Sequence, residues 1–312
     1  MYSCGWNCKQ EKKTAEPQDN RQKKSETKKN LKQGNEAAGT GRMFERMDAF
    51  VDQRDYALLD RDRYTFFVLR RIIGGSCRLL LSDHENLIVC YSGEPYPVWI
   101  WTADGAPSEI MEKAYRLAAE NGFLEKDMRF NIKYDFAKYM IRRSEEDGKH
   151  LSVSTNMFAY DCPAPVEPSV KADGRLHRCT GEDLDVLAGF LDMFHQEIGI
   201  DRKDAAGYRM DAQAYIDTGN MYLWKDKEGI PVASCKYAPN GTIASVNLVF
   251  TRKAYRRKHY AENLVYQVTA IVKEAGFIPM LYTDADYVAS NACYEKIGYI
   301  LRGKLCTVTV DG

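Results

Sequence analysis

Among the nine cysteines of this 312-residue chain, at 4, 8, 77, 90, 162, 179, 235, 293 and 306, there is no CxxC pair and no ordered ligand spacing. An odd, scattered set of this kind excludes a zinc ribbon and a disulfide framework, and no metal site is expected. The thiols read as reduced and mostly buried. Cys4 and Cys8 could hold a metal or a lipid, but no further ligands stand near them, and an unstructured end is the simpler reading. No stretch approaches the ~18 apolar residues of a membrane helix. The first residues, Met1–Tyr2–Ser3–Cys4–Gly5–Trp6–Asn7–Cys8, lack an apolar signal segment, so a cytoplasmic location and no membrane partner are expected. Lys and Arg total 44, as do Asp and Glu. That balance argues against a general nucleic-acid binder, which needs a basic surface excess.

Large apolar residues are almost missing from Lys9 to Arg42, so this stretch cannot bury enough surface to offset its ordering entropy. Residues 1–43 are therefore expected to be a disordered charged tail. Over 44–152 an α/β domain is expected, with strands at Arg78–Leu81, Asn86–Tyr91 and Val98–Thr102, a helix at Ser108–Ala119, a strand at Met128–Lys133 and a helix at Phe136–Arg143. Pro163, Pro165 and Pro168 mark a linker at 153–173. The second domain, 174–312, opens with a strand at Gly174–Arg178. Thr180 and Asp183 then form a capping pair before a helix carrying Leu184, Leu187, Ala188, Leu191 and Phe194. A short helix at Asp211–Asp217 and a hairpin of Met221–Lys225 with Ile230–Tyr237 follow. Beyond the turn Pro239–Asn240–Gly241 come a strand over 243–250, a long amphipathic helix from Ala261 to Ala275, a strand at Ile278–Thr283, a helix at Ser290–Lys296 and a last strand or hairpin over Tyr299–Val310.

The strand at 243–250 points at a helix start packed with cations. Arg256, Arg257 and Lys258 oppose the helix dipole there, at about 0.3–1 kcal/mol each. A bound polyanion would offset this, because free N–H groups in a first helical turn cradle phosphates. A pyrophosphate-bearing ligand is the expectation.

The order Leu248–Val249–Phe250–Thr251, then Tyr255–Arg256–Arg257–Lys258–His259–Tyr260–Ala261, then Ser290–Asn291–Ala292–Cys293–Tyr294–Glu295–Lys296–Ile297–Gly298–Tyr299 resembles the GCN5-related N-acetyltransferases. The resemblance implies a mixed α/β (α+β) fold, with a mostly antiparallel central sheet flanked by helices, over 174–310. It implies acetyl-CoA as cofactor, with pantetheine along Leu248, Val249, Phe250 and Thr251 and pyrophosphate at Arg256, Arg257, Lys258, His259, Tyr260 and Ala261. Asn291 and Tyr294 would stand near the thioester, Tyr294 giving a proton to the departing thiolate. His259 replaces the family's inner glycine, and Arg257 stands where another glycine is common. Ordinary residues suit both positions if the loop is simply the first turn of a helix. The first domain repeats the element order of the second without its motifs. It is either a degenerate copy of the same fold or an unrelated α/β domain.

Acetyl transfer to an amine needs a neutral nucleophile, donors for the oxyanion and a proton for the leaving thiolate. A tyrosine near pKa 10 stays protonated beside a thiol near 8.5 and can supply that proton. For the base the sequence offers Asp284, Glu197, His195 or a water chain, since the strand at 243–250 carries no glutamate. The expected activity is acetylation of a primary amine on a small molecule or peptide. The alternative is a catalytically silent scaffold with the same fold. Acceptor and oligomeric state are not legible.

Overall fold

The computed structural model describes residues 47–199 and 202–311, so the charged tail over 1–43 with Cys4 and Cys8 lies outside them. The described chain begins with two short helices absent from the sequence expectations, α1 (Gln53–Arg61) and α2 (Phe67–Ile72). α1 starts at a reciprocal cap in which Asp52 and Asp55 each accept a backbone N–H. Its apolar positions are too few and too close together to give a helical period in the sequence. Then follow β1 (Leu79–Ser82), β2 (Leu87–Tyr91), β3 (Val98–Thr102), α3 (Ser108–Glu120), β4 (Arg129–Ile132), α4 (Tyr134–Glu146) and β5 (Leu151–Asp161).

β5 occupies 153–161, the first part of the expected linker, and the three prolines come only after it. Its outer half, Ser152–Val153–Ser154, is exposed, and this polar start conceals a strand whose far end is buried. The second half runs β6 (Arg175–Arg178), α5 (Leu184–Ile198), α6 (Ala205–Asp217), β7 (Met221–Lys225), β8 (Pro231–Asn240), β9 (Ile243–Thr251), α7 (Tyr260–Glu274), β10 (Ile278–Asp284), α8 (Val288–Lys296) and β11 (Ile300–Val310). The Thr180–Asp183 capping pair forms as expected, and α6 extends six residues upstream of its expected start, Ala205 against Asp211.

All strands join one sheet in the order β1-β2-β3-β4-β11-β5-β10-β9-β8-β7-β6. Only β3/β4 and β9/β10 are parallel; every other neighbouring pair is antiparallel. This is the mixed, mostly antiparallel sheet expected. After α1 and α2 in the first half, and after β6, α5 and α6 in the second, each half follows the order β-β-β-α-β-α-β, but the final strands are exchanged. β5, from the first half, lies between β11 and β10, while β11, from the second, lies between β4 and β5. The long β5/β11 ladder, from Leu151↔Val310 to Asp161↔Ile300, stitches the halves into one sheet.

Apolar clusters lie on both faces. One face packs α3 and α4 over the first half and α7 and α8 over the second, centred on Phe130, Phe136 and Met140, and on Leu264, Val268 and Tyr294. The opposite face packs α1 and α2 through Leu59, Phe66 and Leu69, and α5 and α6 through Leu187, Phe194 and Tyr215.

Candidate active site

The parallel strands β9 and β10 pair only at their beginnings, from Ile243↔Ile278 to Ser245↔Met280. Beyond that point β9 stays on β8 as far as Thr251, whereas β10 stays on β5 as far as Asp284. The two strands therefore part, opening a V at the carboxyl ends of the sheet. A bulge helps drive β9 away: the β8/β9 register slips between Ser234 and Lys236, and Leu248 takes φ +52°. The bulge re-aims the predicted pantetheine strand. Val249 packs under α7, while Leu248 and Phe250 pack under α5 and α6, and all three are buried.

At the mouth of the V the chain makes a short 3₁₀ turn at Lys253–Tyr255 and then enters α7. Arg257 and His259 both have φ +61°, the left-handed region that glycine adopts without penalty. The condition under which ordinary residues would suit these positions, a plain first helical turn, is therefore not met. The helix begins at Tyr260, and the turn before it keeps the glycine conformation without the glycines, at about 1–2 kcal/mol per residue. No side chain caps α7, so the N–H groups of its first turn face the loop.

The structure sorts the predicted turn residues. Arg257, Lys258 and His259 are exposed, with Lys258 5.4 Å from the centre of the Tyr255 ring and His259 2.9 Å from Glu262. Arg256 turns inward, donating to the Thr251 carbonyl at 3.0 Å and to Glu197 at 2.6 Å. Glu197, a candidate base, is therefore occupied by the cation expected to bind phosphate. Tyr260 and Ala261 are core residues; the Tyr260 hydroxyl donates to Asp173 at 2.6 Å and is held well above its usual range by burial and that carboxylate.

On β9 and on α8, which follows β10, several buried polar atoms have no hydrogen-bond partner among the described residues. They are Asn247 Oδ1 and Thr251 Oγ1 on β9, and Ser290 Oγ, Asn291 Oδ1 and the Tyr294 hydroxyl on α8. Such orphans usually cost about 1–3 kcal/mol each and are uncommon in a settled core. Asn291 is fixed by its amide, which donates to the carbonyls of Ala285 at 3.0 Å and Asp284 at 3.2 Å. Tyr294 is 0% exposed, lies 5.9 Å from the Tyr299 ring, and burial raises its pKa well above the ordinary value, so it keeps its proton. These groups fit a ligand that brings its own amide and thioester polarity into the V. Of the remaining base candidates, Asp284 accepts from the Asp286 N–H at 2.9 Å, and His195 packs on Tyr208 with ring centres 5.3 Å apart.

Sequence reasoning missed Lys236, Asn247 and Arg71. Lys236 sits mid-strand in Val232–Ala233–Ser234–Cys235–Lys236–Tyr237, and a lone lysine in such an apolar run was a legible signal. Arg71 was hidden because α2 itself was unpredicted.

A splayed parallel pair, a bulged strand and a cationic left-handed turn thus meet at the start of α7. Residues 187–299 match the model of the Acetyltransferase (GNAT) family, and this part of the chain is a GNAT domain. Among solved structures, a GCN5-related N-acetyltransferase from Sphaerobacter thermophilus aligns with TM-score 0.58 and 12% identity, over 83% of this chain and 90% of that one. A GNAT-family acetyltransferase from Colwellia psychrerythraea aligns with TM-score 0.54 and 9% identity, over 86% of this chain and 100% of that one. A GCN5-related N-acetyltransferase from Kribbella flavida gives TM-score 0.51 and 14% identity, over 80% and 95%. At these identities the likeness is one of fold, and it extends over both halves. No curated protein matches the chain.

Proposed function

We propose that the chain is an acetyl-CoA-dependent N-acetyltransferase acting on a primary amine of a small molecule or peptide. The observation that carries this reading is the 256–260 turn, where two non-glycine residues hold left-handed geometry beside an uncapped helix start. Strain of this kind persists where the surroundings enforce it and is concentrated at functional sites. Acetyl-CoA supplies an activated thioester carbonyl. Arg257, Lys258 and the first N–H groups of α7 would hold its pyrophosphate, with Arg256 joining them if it leaves Glu197. Backbone groups of Leu248, Val249, Phe250 and Thr251 would orient the pantetheine and the thioester oxygen. Asn291, anchored by two carbonyls, would present its free oxygen to the amide chain. Tyr294 holds the proton that the departing thiolate needs.

A silent scaffold is the second reading, and specific observations favour it: Arg256 is paired with Glu197, and the Tyr294 hydroxyl is sealed from solvent. Stopped acetyl transfer with intact acetyl-CoA binding would support it. Thiol release from acetyl-CoA across a panel of primary amines decides between the two. Release with any amine supports the enzyme, and binding without release supports the scaffold.

A further inference from the structure

On the α5/α6 face of the sheet, Lys236 stands directly opposite Asn247 in the β8/β9 register, so the two side chains leave the same face at the bulge. Lys236 is 7% exposed, and its ammonium lies 3.8 Å from the centre of the Tyr215 ring on α6. It makes no ion pair with a described residue. Other shielded lysines are provided for: Lys133 has Asp62 and Asp104, both at 2.6 Å, and Lys225 has Asp183 at 3.1 Å. The carboxylate whose charge acts on Lys236 is Asp211, which is already bound to Lys203 at 2.5 Å. A second cation, Arg71 from the last turn of α2, is close enough for its charge to act on both the Lys236 ammonium and the Tyr282 hydroxyl of β10. The two cations thus come from opposite halves of the chain, on the β8 and β10 sides of the V. Burial and the repulsion from Arg71 lower the lysine's pKa to about 8. A buried ammonium with no carboxylate partner is unfavourable unless an anion joins it.

We propose that Lys236 forms the seat for a carboxylate of the acceptor, so that the amine substrate is an amino acid or a similar amino-carboxylate. Asn247 complements this, because its unpartnered buried Oδ1 is an acceptor suited to the substrate's amine, at the strand that would carry the thioester. The amide nitrogen of Asn247 is held by Ser245, at 3.2 Å from its hydroxyl, which fixes the oxygen's direction. The amine end of the inference rests on the acetyl-transfer reading; the anion seat does not.

The test has one arm for each part. Full-length protein with reductively ¹³C-methylated lysines gives a Lys236 resonance, assigned by its loss in Lys236→Gln. Glycine, β-alanine and 4-aminobutyrate are titrated in, each against its carboxamide. At least one carboxylate should move the resonance and raise the lysine's pKa by about one unit, while its amide leaves it unmoved. If no carboxylate moves it at millimolar concentration, the seat is refuted, whether or not acetyl-CoA binds. With acetyl-CoA turnover in hand, Lys236→Gln should lower kcat/KM for the carboxylate acceptor by ~10–100-fold, mainly through KM, and for the amide by less than ~3-fold. Lys236→Arg should keep the preference for the carboxylate. An equal loss on acid and amide would overturn the proposal and mark Lys236 as a base or a packing residue.

Discussion

The two halves share a strand-to-helix crossover, β3 to α3 and β9 to α7, and the two crossovers have been finished in opposite ways. In the first, β3 and β4 also pair only briefly, at Val98↔Phe130 and Trp99↔Asn131. The space beyond is closed by groups that satisfy one another: Lys133 bonds Asp62 and Asp104, and the Trp101 indole donates to Asp62 at 2.7 Å. Its turn uses a glycine, Gly105 at φ +67°, where left-handed geometry is needed. In the second, left-handed geometry is forced on Arg257 and His259, and five buried polar atoms on β9 and α8 lack hydrogen-bond partners among the described residues. Sites are found where local satisfaction has been left incomplete. The first crossover follows ordinary rules of stability and the second departs from them, as expected of an element kept for a ligand.

The largest effect that would sharpen this contrast is on catalysis. Tyr294→Phe should lower kcat at saturating acetyl-CoA by about 100-fold with little change in cofactor affinity. An unchanged rate in steady-state thiol release removes it as the proton donor. Next in size, Arg256→Ala combined with Arg257→Ala should weaken acetyl-CoA binding by about 10-fold or more by calorimetry, because the proposed phosphate contacts of Arg257, and of Arg256 once it leaves Glu197, would be lost. The same titration of Lys133→Met, in the other crossover, should show unaltered affinity but a loss of about 1–3 kcal/mol in denaturant stability, since Asp62 loses its half-buried ion-pair partner.

Lys236 supplies a pH-dependent comparison. Its folded-state pKa, about 8, lies below the ordinary 10.5, mainly through burial. The unfolded chain binds the extra proton between those values, so the penalty on stability is complete below pH 8 and fades as pH rises towards 10.5. Lys236→Met should therefore stabilise the fold at pH 7 by about 2 kcal/mol and do so much less at pH 10, as read by urea melts. The smallest effect belongs to the turn. His259→Gly should gain about 0.5–1 kcal/mol by relieving left-handed strain, with acetyl-CoA affinity within about 2-fold of the parent.

Much of this was legible in the sequence, and the gaps have physical causes. The strands other than β5 and helices α3, α4 and α7 announce themselves through apolar period, and the Thr180–Asp183 pair fixed the start of the α5 region. α1 and α2 were silent because their buried residues reach the core from charged segments too short to show a period. β5 was concealed by an exposed polar start and by prolines that follow it closely. Its placement between strands of the other half depends on pairing across more than a hundred residues, which no local pattern carries. At the site, the cations were visible as a run, but the Arg256–Glu197 pair joins residues far apart in the chain. The left-handed turn could not be read from Arg257 and His259, which resist that geometry rather than advertise it.

The central claim is that the V between β9 and β10 takes acetyl-CoA, and titration calorimetry of the full chain with acetyl-CoA and with CoA tests it most directly. Micromolar binding of acetyl-CoA that weakens in Arg256→Ala/Arg257→Ala is the predicted result. No heat of binding with either ligand, from protein whose fold is verified by circular dichroism, would contradict it.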